Sequence, residues 1–144
     1  MARQQASRDG PTRIDLRRLT QERLRDAECL LSGGRYDAAA YLCGYVLETA
    51  LKACICKRLR VETYPESELR GLFKTHNFDE LLLLAGLKGE ISSKKHPNLT
   101  NWSLVAGWEP NWRYRPHGSV QQTDAGDMIK VLRKEVLPWL KRRW

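Results

Sequence analysis

Apolar residues recur with helical spacing along most of this chain, and no stretch alternates with the period of two that marks a strand. From Tyr36 to Leu59 the run YDAAAYLCGYVLETALKACICKRL is apolar on almost every side. That predicts a central helix buried all round rather than a surface helix with one apolar stripe. Upstream, Thr12-x-x-Asp15 reads as a helix start, the hydroxyl taking a free backbone N–H and the acid facing the positive helix end. The first helix runs to about Leu31. Leu16, Leu19, Leu24, Ala27, Leu30 and Leu31 form its apolar stripe, arginines occupy the other face, and Gly33-Gly34 ends it. The short connection predicts that the two helices pack as an antiparallel hairpin.

Past Leu59 the polar stretch VETYPESELRG carries Pro65 as a breaker, and Asn77-x-x-Glu80 opens a third helix, FDELLLLAGL, with Gly86 at its C-terminal cap. Lys88 to Pro97 is polar and gives no clear element, and Leu99 to Ala106 reads as a short helix closing at Gly107. The connector WEPNWRYRPHG follows. A final helix begins near Ser119 or Thr123, with Ala125, Met128, Ile129, Leu132, Val136, Trp139 and Leu140 inward, and Pro138 should kink its last turns. The expected fold is an all-α, up-and-down bundle of four or five helices. It forms one domain over residues 12–144, preceded by a flexible N-terminal arm at residues 1–11.

Lys and Arg total 25 against 17 Asp and Glu, a net charge of +8 that favours polyanionic partners such as RNA or nucleotides. The basic residues are spread, with clusters at residues 13–25, 57–60 and 141–143. No run approaches the length expected of a membrane span, and the polar start MARQQASRDGPTR lacks an apolar export core. The expectation is a cytoplasmic protein with no membrane partner. Cys29, Cys43, Cys54 and Cys56 all fall in predicted helices, with no C-x-x-C pair. A C-x-C pair on a helix points its thiols about 200° apart. Buried, reduced thiols are therefore expected, with no metal site and no cofactor.

Glu48 and Lys52, four residues apart inside the greasiest helix, are the feature that needs an explanation. Their order favours an intrahelical ion pair, worth only about 0.2–0.5 kcal/mol at an exposed site, which does not explain burying it. Helical spacing puts Tyr41, Gly44 or Tyr45, Glu48 and Lys52 on one polar-tipped stripe. That stripe is either a half-exposed pair at the bundle rim, or the lining of a polar groove or subunit contact. Gly44 suits close approach by another helix.

No two of His76, His96 and His117 have metal-ligand spacing. His76, beside Asn77, is expected to help cap the third helix, and His96 to sit in an exposed loop. Trp102, Trp108, Trp112 and Tyr114 interleave with Arg113 and Arg115. Such a cluster can stack on bases while neutralising phosphates, but in so small a domain the tryptophans are expected chiefly to bury the connector. Arg113 is the residue expected to reach Glu48 or a bound phosphate, because a planar guanidinium suits either.

The stretch Tyr36–Lys52, YDAAAYLCGYVLETALK, resembles the second helix of HEPN domains. Lys74-Thr75-His76-Asn77 leading into Leu81-Leu82 is similar to that family's T-H-(D/N)-x-x-x-L helix start. Trp108-Glu109-Pro110-Asn111-Trp112-Arg113-Tyr114 resembles a W-x-(P)-x-x-R-Y segment of one bacterial subgroup. The resemblance spans about Leu16 to Leu140. It implies a helical bundle, usually homodimeric, with a cleft between protomers. Many such domains are metal-independent RNases of toxin–antitoxin, phage-defence or CRISPR systems. Others are non-catalytic partners of a minimal nucleotidyltransferase, or bind nucleotides or RNA.

The RNase members carry R-x4–6-H, in which His serves as acid or base for 2′-OH attack on the adjacent phosphate while Arg stabilises the phosphorane. Here one window fits by number, Arg70 to His76 with five residues between, whereas Arg113 to His117 has three and contains Pro116. The motif expected in the later helices is missing. The first expectation is therefore an RNA-, nucleotide- or partner-binding module of a toxin–antitoxin or defence system, homodimeric and paired with a minimal nucleotidyltransferase. Its ligand or cleft residues would be Tyr41, Tyr45, Glu48, Lys52, Arg113 and Tyr114. The alternatives are an RNase toxin using His76 and Arg70, and a purely structural dimerisation domain whose Glu48–Lys52 stripe is the seam.

Overall fold

The computed structural model describes residues 10–91 and 101–144. Helix α1 spans Arg13–Ser32 and starts as predicted, with Thr12 Oγ1 accepting the Asp15 N–H at 3.1 Å. Gly34, at φ 74°, makes the turn into α2, Tyr36–Leu59. The two pack side by side along their length, and one polar contact sits inside the seam: the Thr20 and Thr49 hydroxyls meet at 2.7 Å. One hydroxyl donates across the seam and the other donates to the carbonyl one turn back, with Leu16 O 2.9 Å from Thr20 Oγ1 and Tyr45 O 2.8 Å from Thr49 Oγ1, so neither oxygen lacks a partner.

Helix α2 is the axis of the molecule. Every residue from Ala50 to Cys56 is buried, as are Val46, Leu47 and Glu48, because α1, the helix opening at Asn77 and the C-terminal helix surround it. By length and composition α2 could cross a membrane, contrary to the expectation that no run could, yet 78% of its most apolar window is buried inside the bundle. Cys43, Cys54 and Cys56 are interior, but Cys29 is exposed, against the expectation of four buried thiols. Burial pushes Cys43 and Cys54 up to about 12 and Cys56 to about 11, which keeps all three protonated and inert at neutral pH.

Past α2 the chain is tied down by Tyr64, whose hydroxyl donates to Phe73 O at 2.8 Å and whose N–H donates to Pro11 O at 2.9 Å. Pro11, placed in the N-terminal arm by the sequence, is thus bonded to the bundle, and residues 1–9 of that arm lie outside the described residues. Helix α3, Phe78–Ala85, opens on Asn77 Oδ1, which accepts the Glu80 N–H at 3.1 Å, and closes on Gly86 at φ 73°. Arg58 of α2 donates to the carbonyls of Leu83 and Leu84, placing a cation at the negative end of α3.

A single turn, α4 (Lys88–Ile91), follows. His96 and the start of the predicted Leu99–Ala106 helix lie outside the described residues, and the described remainder is α5, Ser103–Ala106. A 3-10 segment, Pro110–Tyr114, leads to α6, Gln122–Val131, which continues through a wide π turn at Leu132–Val136 into α7, Leu137–Lys141. The expected distortion at Pro138 takes this form: a residue without an N–H, whose ring presses on the preceding turn, is accommodated by widening it. Among the described residues the one β-type pairing is an isolated bridge between Thr12 and Thr63.

Asp37, in the first turn of α2, holds the connector down. Its carboxylate accepts the N–H groups of Gly118 at 2.8 Å and Val120 at 3.0 Å. The Gly118 bond, then the Val120 bond and the nearby His117, outweigh desolvation and lower its pKa below 3.8. A carboxylate with a depressed folded-state pKa stabilises the fold above its unfolded value, and loses that contribution as pH falls through the folded value. Thermal melts of the wild type should therefore lose Tm below about pH 4, and Asp37→Asn should flatten that part of the profile. Parallel profiles would show that Asp37 does not anchor the connector.

Candidate functional site

Glu48 and Lys52 form an ion pair, but not at the rim. Nζ lies 2.9 Å from Oε1, with the side chains 10% and 6% exposed. A buried pair of this kind needs further partners to offset desolvation. Lys52 Nζ lies 5.0 Å over the Tyr64 ring, whose face is electron-rich. Glu48 Oε1 takes a second bond from His76 Nδ1, also at 2.9 Å, while Oε2 is buried with no hydrogen-bond partner among the described residues. The pair is enclosed within one chain, so it does not by itself make a subunit seam.

His76 therefore does not cap α3, as the sequence reading expected; Asn77 does that alone. The Thr75 side chain bonds Glu80 and accepts the Asn77 N–H, fixing the backbone on both sides of His76. A carboxylate only accepts, so Nδ1 carries the proton and Nε2 is the ring nitrogen left for any bound group. The imidazole is 56% exposed and lines a cleft of about 540 Å³.

The cleft wall is built on Gly44. A β-carbon there would lie 1.9 Å from the Trp108 ring, so the indole sits against bare α2 backbone. The expected close approach at Gly44 is real, but the group approaching is a connector side chain rather than a helix. Trp108 is 3% exposed, donates Nε1–H to Tyr41 O at 2.9 Å, and stacks on Phe78 at 5.7 Å. Tyr45 meets its edge at 5.0 Å. The Tyr41 and Tyr45 hydroxyls are 2.9 Å apart, and burial, reinforced by that bond, pushes Tyr45 up to about 12. The expected stripe on α2 is thus one continuous strip, two bonded tyrosines followed by the ion pair.

Arg113 does not reach Glu48. It is exposed, bonds Pro110 O at 3.2 Å and lies 4.6 Å over the Tyr114 ring. Tyr114, and less strongly Tyr41, raise its pKa, and its guanidinium is a cation at the cleft. Tyr114 is 75% exposed. Arg70 lies on the exposed 3-10 turn Leu69–Gly71, and no hydrogen bond or ion pair links it to His76. Among the described residues, the cation that shares the cleft with His76 is Arg113. Asp79 and Glu109 line the same cleft and were not singled out from sequence. The signal available was their place inside the T-H-N and W-E-P segments. The connector's burial is as expected for Trp108, with Trp102 and Trp112 half-buried.

The HEPN domain family model matches residues 15–143, nearly the whole chain. The chain belongs to the HEPN domain family. Neither the curated proteins nor the solved structures contain a significant match. The motifs that carry the likeness are the parts of this HEPN domain that meet at the cleft: α2 supplies Gly44 and Glu48, the T-H-N turn His76, and the W-E-P connector Trp108 and Arg113.

Proposed function

We propose that this HEPN domain is an RNA- or nucleotide-binding module of a toxin–antitoxin or defence system, working as a homodimer beside a minimal nucleotidyltransferase. The observation that carries the binding part is the Glu48-held His76, sharing a cleft with the Arg113 cation against an aromatic wall. A fixed imidazole nitrogen and an exposed guanidinium suit a phosphate, and Asp79 and Glu109 offer acceptors to the amino groups of a base. The system and its partners are suggested by what the family resemblance implies, and the net charge of +8 supports a polyanionic ligand.

Anisotropy of a labelled single-stranded RNA, followed across a salt series, tests this. Affinity should fall steeply with salt, and Arg113→Ala should weaken binding about tenfold and lower the salt slope by about one, with melting temperature unchanged. Binding indifferent to salt and to Arg113 would remove the reading.

The second reading is a metal-independent RNase. What favours it is the Glu48–His76 bond, which leaves Nε2 placed to take a proton from a 2′-OH. In that reaction the 2′ oxygen attacks the adjacent phosphorus, the P–O5′ bond breaks, the proton taken up by Nε2 passes to the leaving 5′ oxygen, and a 2′,3′-cyclic phosphate forms. Arg113 rather than Arg70 is placed to meet the phosphorane charge. RNA that stays intact through long incubation, with His76→Ala indistinguishable from wild type, would exclude it.

A further inference from the structure

A second cavity, of about 210 Å³, lies between the connector and α6 and shares no lining residue with the His76 cleft. It is smaller than the roughly 300–1,000 Å³ of a drug-sized ligand site, which limits an occupant to one ring system. Its floor is apolar, made by buried Ala40, Val120 and Met128. Trp112 and Arg115 form a planar wall, the guanidinium lying 3.8 Å over the indole. Indole and guanidinium planes are surfaces on which a flat aromatic ring stacks. The function proposed for the cleft uses neither residue.

Helix α6 supplies the remaining polar groups. Asp124 and Asp127, one turn apart, line the cavity beside Met128. Asp124 serves the fold, accepting the Gln121 N–H at 3.0 Å. Asp127 does not: among the described residues its carboxylate takes part in no hydrogen bond or ion pair, with neither Arg115 in the same lining nor Lys130 three residues on. An ionised carboxylate only accepts, so the group that completes it must present N–H donors, two of them side by side to use both oxygens.

We infer that this cavity binds a guanine base of the RNA strand whose phosphates meet the cleft, the ring stacking on the Trp112–Arg115 wall and its N1–H and N2–H₂ donating to Asp127. Guanine alone among the four bases carries two adjacent donors on its pairing edge. Adenine and cytosine set an acceptor nitrogen beside their amino group, and uracil flanks its N–H with two carbonyls, so each would turn an acceptor toward the carboxylate. This rests on the RNA-binding reading of the cleft and adds a base preference to it. The connector makes the link: Asn111 and Arg113 line the cleft, Trp112 and Arg115 the cavity. Arg113 and Arg115 are two residues apart, with Cα atoms at most about 7 Å from each other, close enough for one strand to meet both.

The test titrates the isotope-labelled full chain with the 5′-monophosphates of guanosine, adenosine and uridine. The guanosine nucleotide should shift the Trp112 indole signal and the amides of residues 124–128, and bind about tenfold more tightly than the other two. Asp127→Asn, at an exposed position, should keep the wild-type Tm and lose about tenfold in affinity for it. In the anisotropy assay a uridine strand with one guanine should bind more tightly than the same strand with adenine in that place, and Asp127→Asn should erase the difference. Equal response to the three nucleotides, shifts that avoid Trp112 and α6, or indifference to Asp127→Asn would overturn the proposal. RNA binding that needs Arg113 but ignores the guanine would also overturn it, while leaving the cleft reading intact. Guanosine nucleotide held as expected by a chain whose RNA binding ignores Arg113 would do the reverse, keeping the guanine pocket and removing the cleft.

Discussion

Alanine at Gly44 should destabilise the protein by about 2–4 kcal/mol, although alanine is the better helix former by about 1 kcal/mol. The added carbon would lie 1.9 Å from the Trp108 ring, well inside van der Waals contact. Neither side can yield easily. Gly44 is mid-way along a helix packed on several sides, and Trp108 is held by its bond to Tyr41 O and by Phe78 and Tyr45. Either α2 shifts against its neighbours or the indole leaves its notch and loses its burial, which alone is worth about 3 kcal/mol or more. Urea denaturation measures the loss. The decisive comparison is the same substitution in a Trp108→Ala background, where the clash is gone and alanine should be neutral or slightly stabilising. Equal destabilisation in both backgrounds would show that the glycine serves some purpose other than admitting the indole.

That notch marks the boundary of what the sequence reveals. Local signals were legible because they act within a few residues: Thr12 and Asn77 cap their helices, Gly86 closes α3, and the all-round apolarity of α2 announces its central place. The spacing of Glu48 and Lys52 likewise predicts their pairing. Helical periodicity says nothing about which distant loop returns to a given face. Gly44 could be read as a place of close approach, but the approaching group lies 64 residues on, in a connector without period. His76 looked like a capping residue because Asn77, its neighbour, is one. Its bond to Glu48 arises only when the loop before α3 folds across α2. Arg70 and His76 satisfy a linear motif, yet the left-handed turn at Leu69–Arg70 breaks the regular geometry that would relate them.

Removing the Glu48 carboxylate should cost about 3–5 kcal/mol for Glu48→Ala. The cause is what remains rather than what is lost. Lys52, 10% exposed, would keep its ammonium inside the bundle with only the Tyr64 ring nearby, and His76 would lose the acceptor that fixes its Nδ1. Lys52→Met leaves the opposite charge stranded and should cost about 2–4 kcal/mol, since His76 still serves Glu48. Replacing both, Glu48→Leu with Lys52→Met, removes both buried charges together and fills the space with apolar side chains. The double variant should be far more stable than the sum of the single losses, and within about 1 kcal/mol of wild type. Denaturant unfolding of wild type, Glu48→Leu, Lys52→Met and the double variant gives the coupling energy directly, and additive losses would mean that the two charges do not stabilise each other. The same four proteins separate folding from function. If the double variant folds well yet binds RNA as weakly as His76→Ala does, then the pair is retained to hold the imidazole in place, and an apolar core would serve stability equally well. If it binds RNA as wild type does, His76 owes nothing to Glu48, and the cleft acts through Arg113 and its aromatic wall alone.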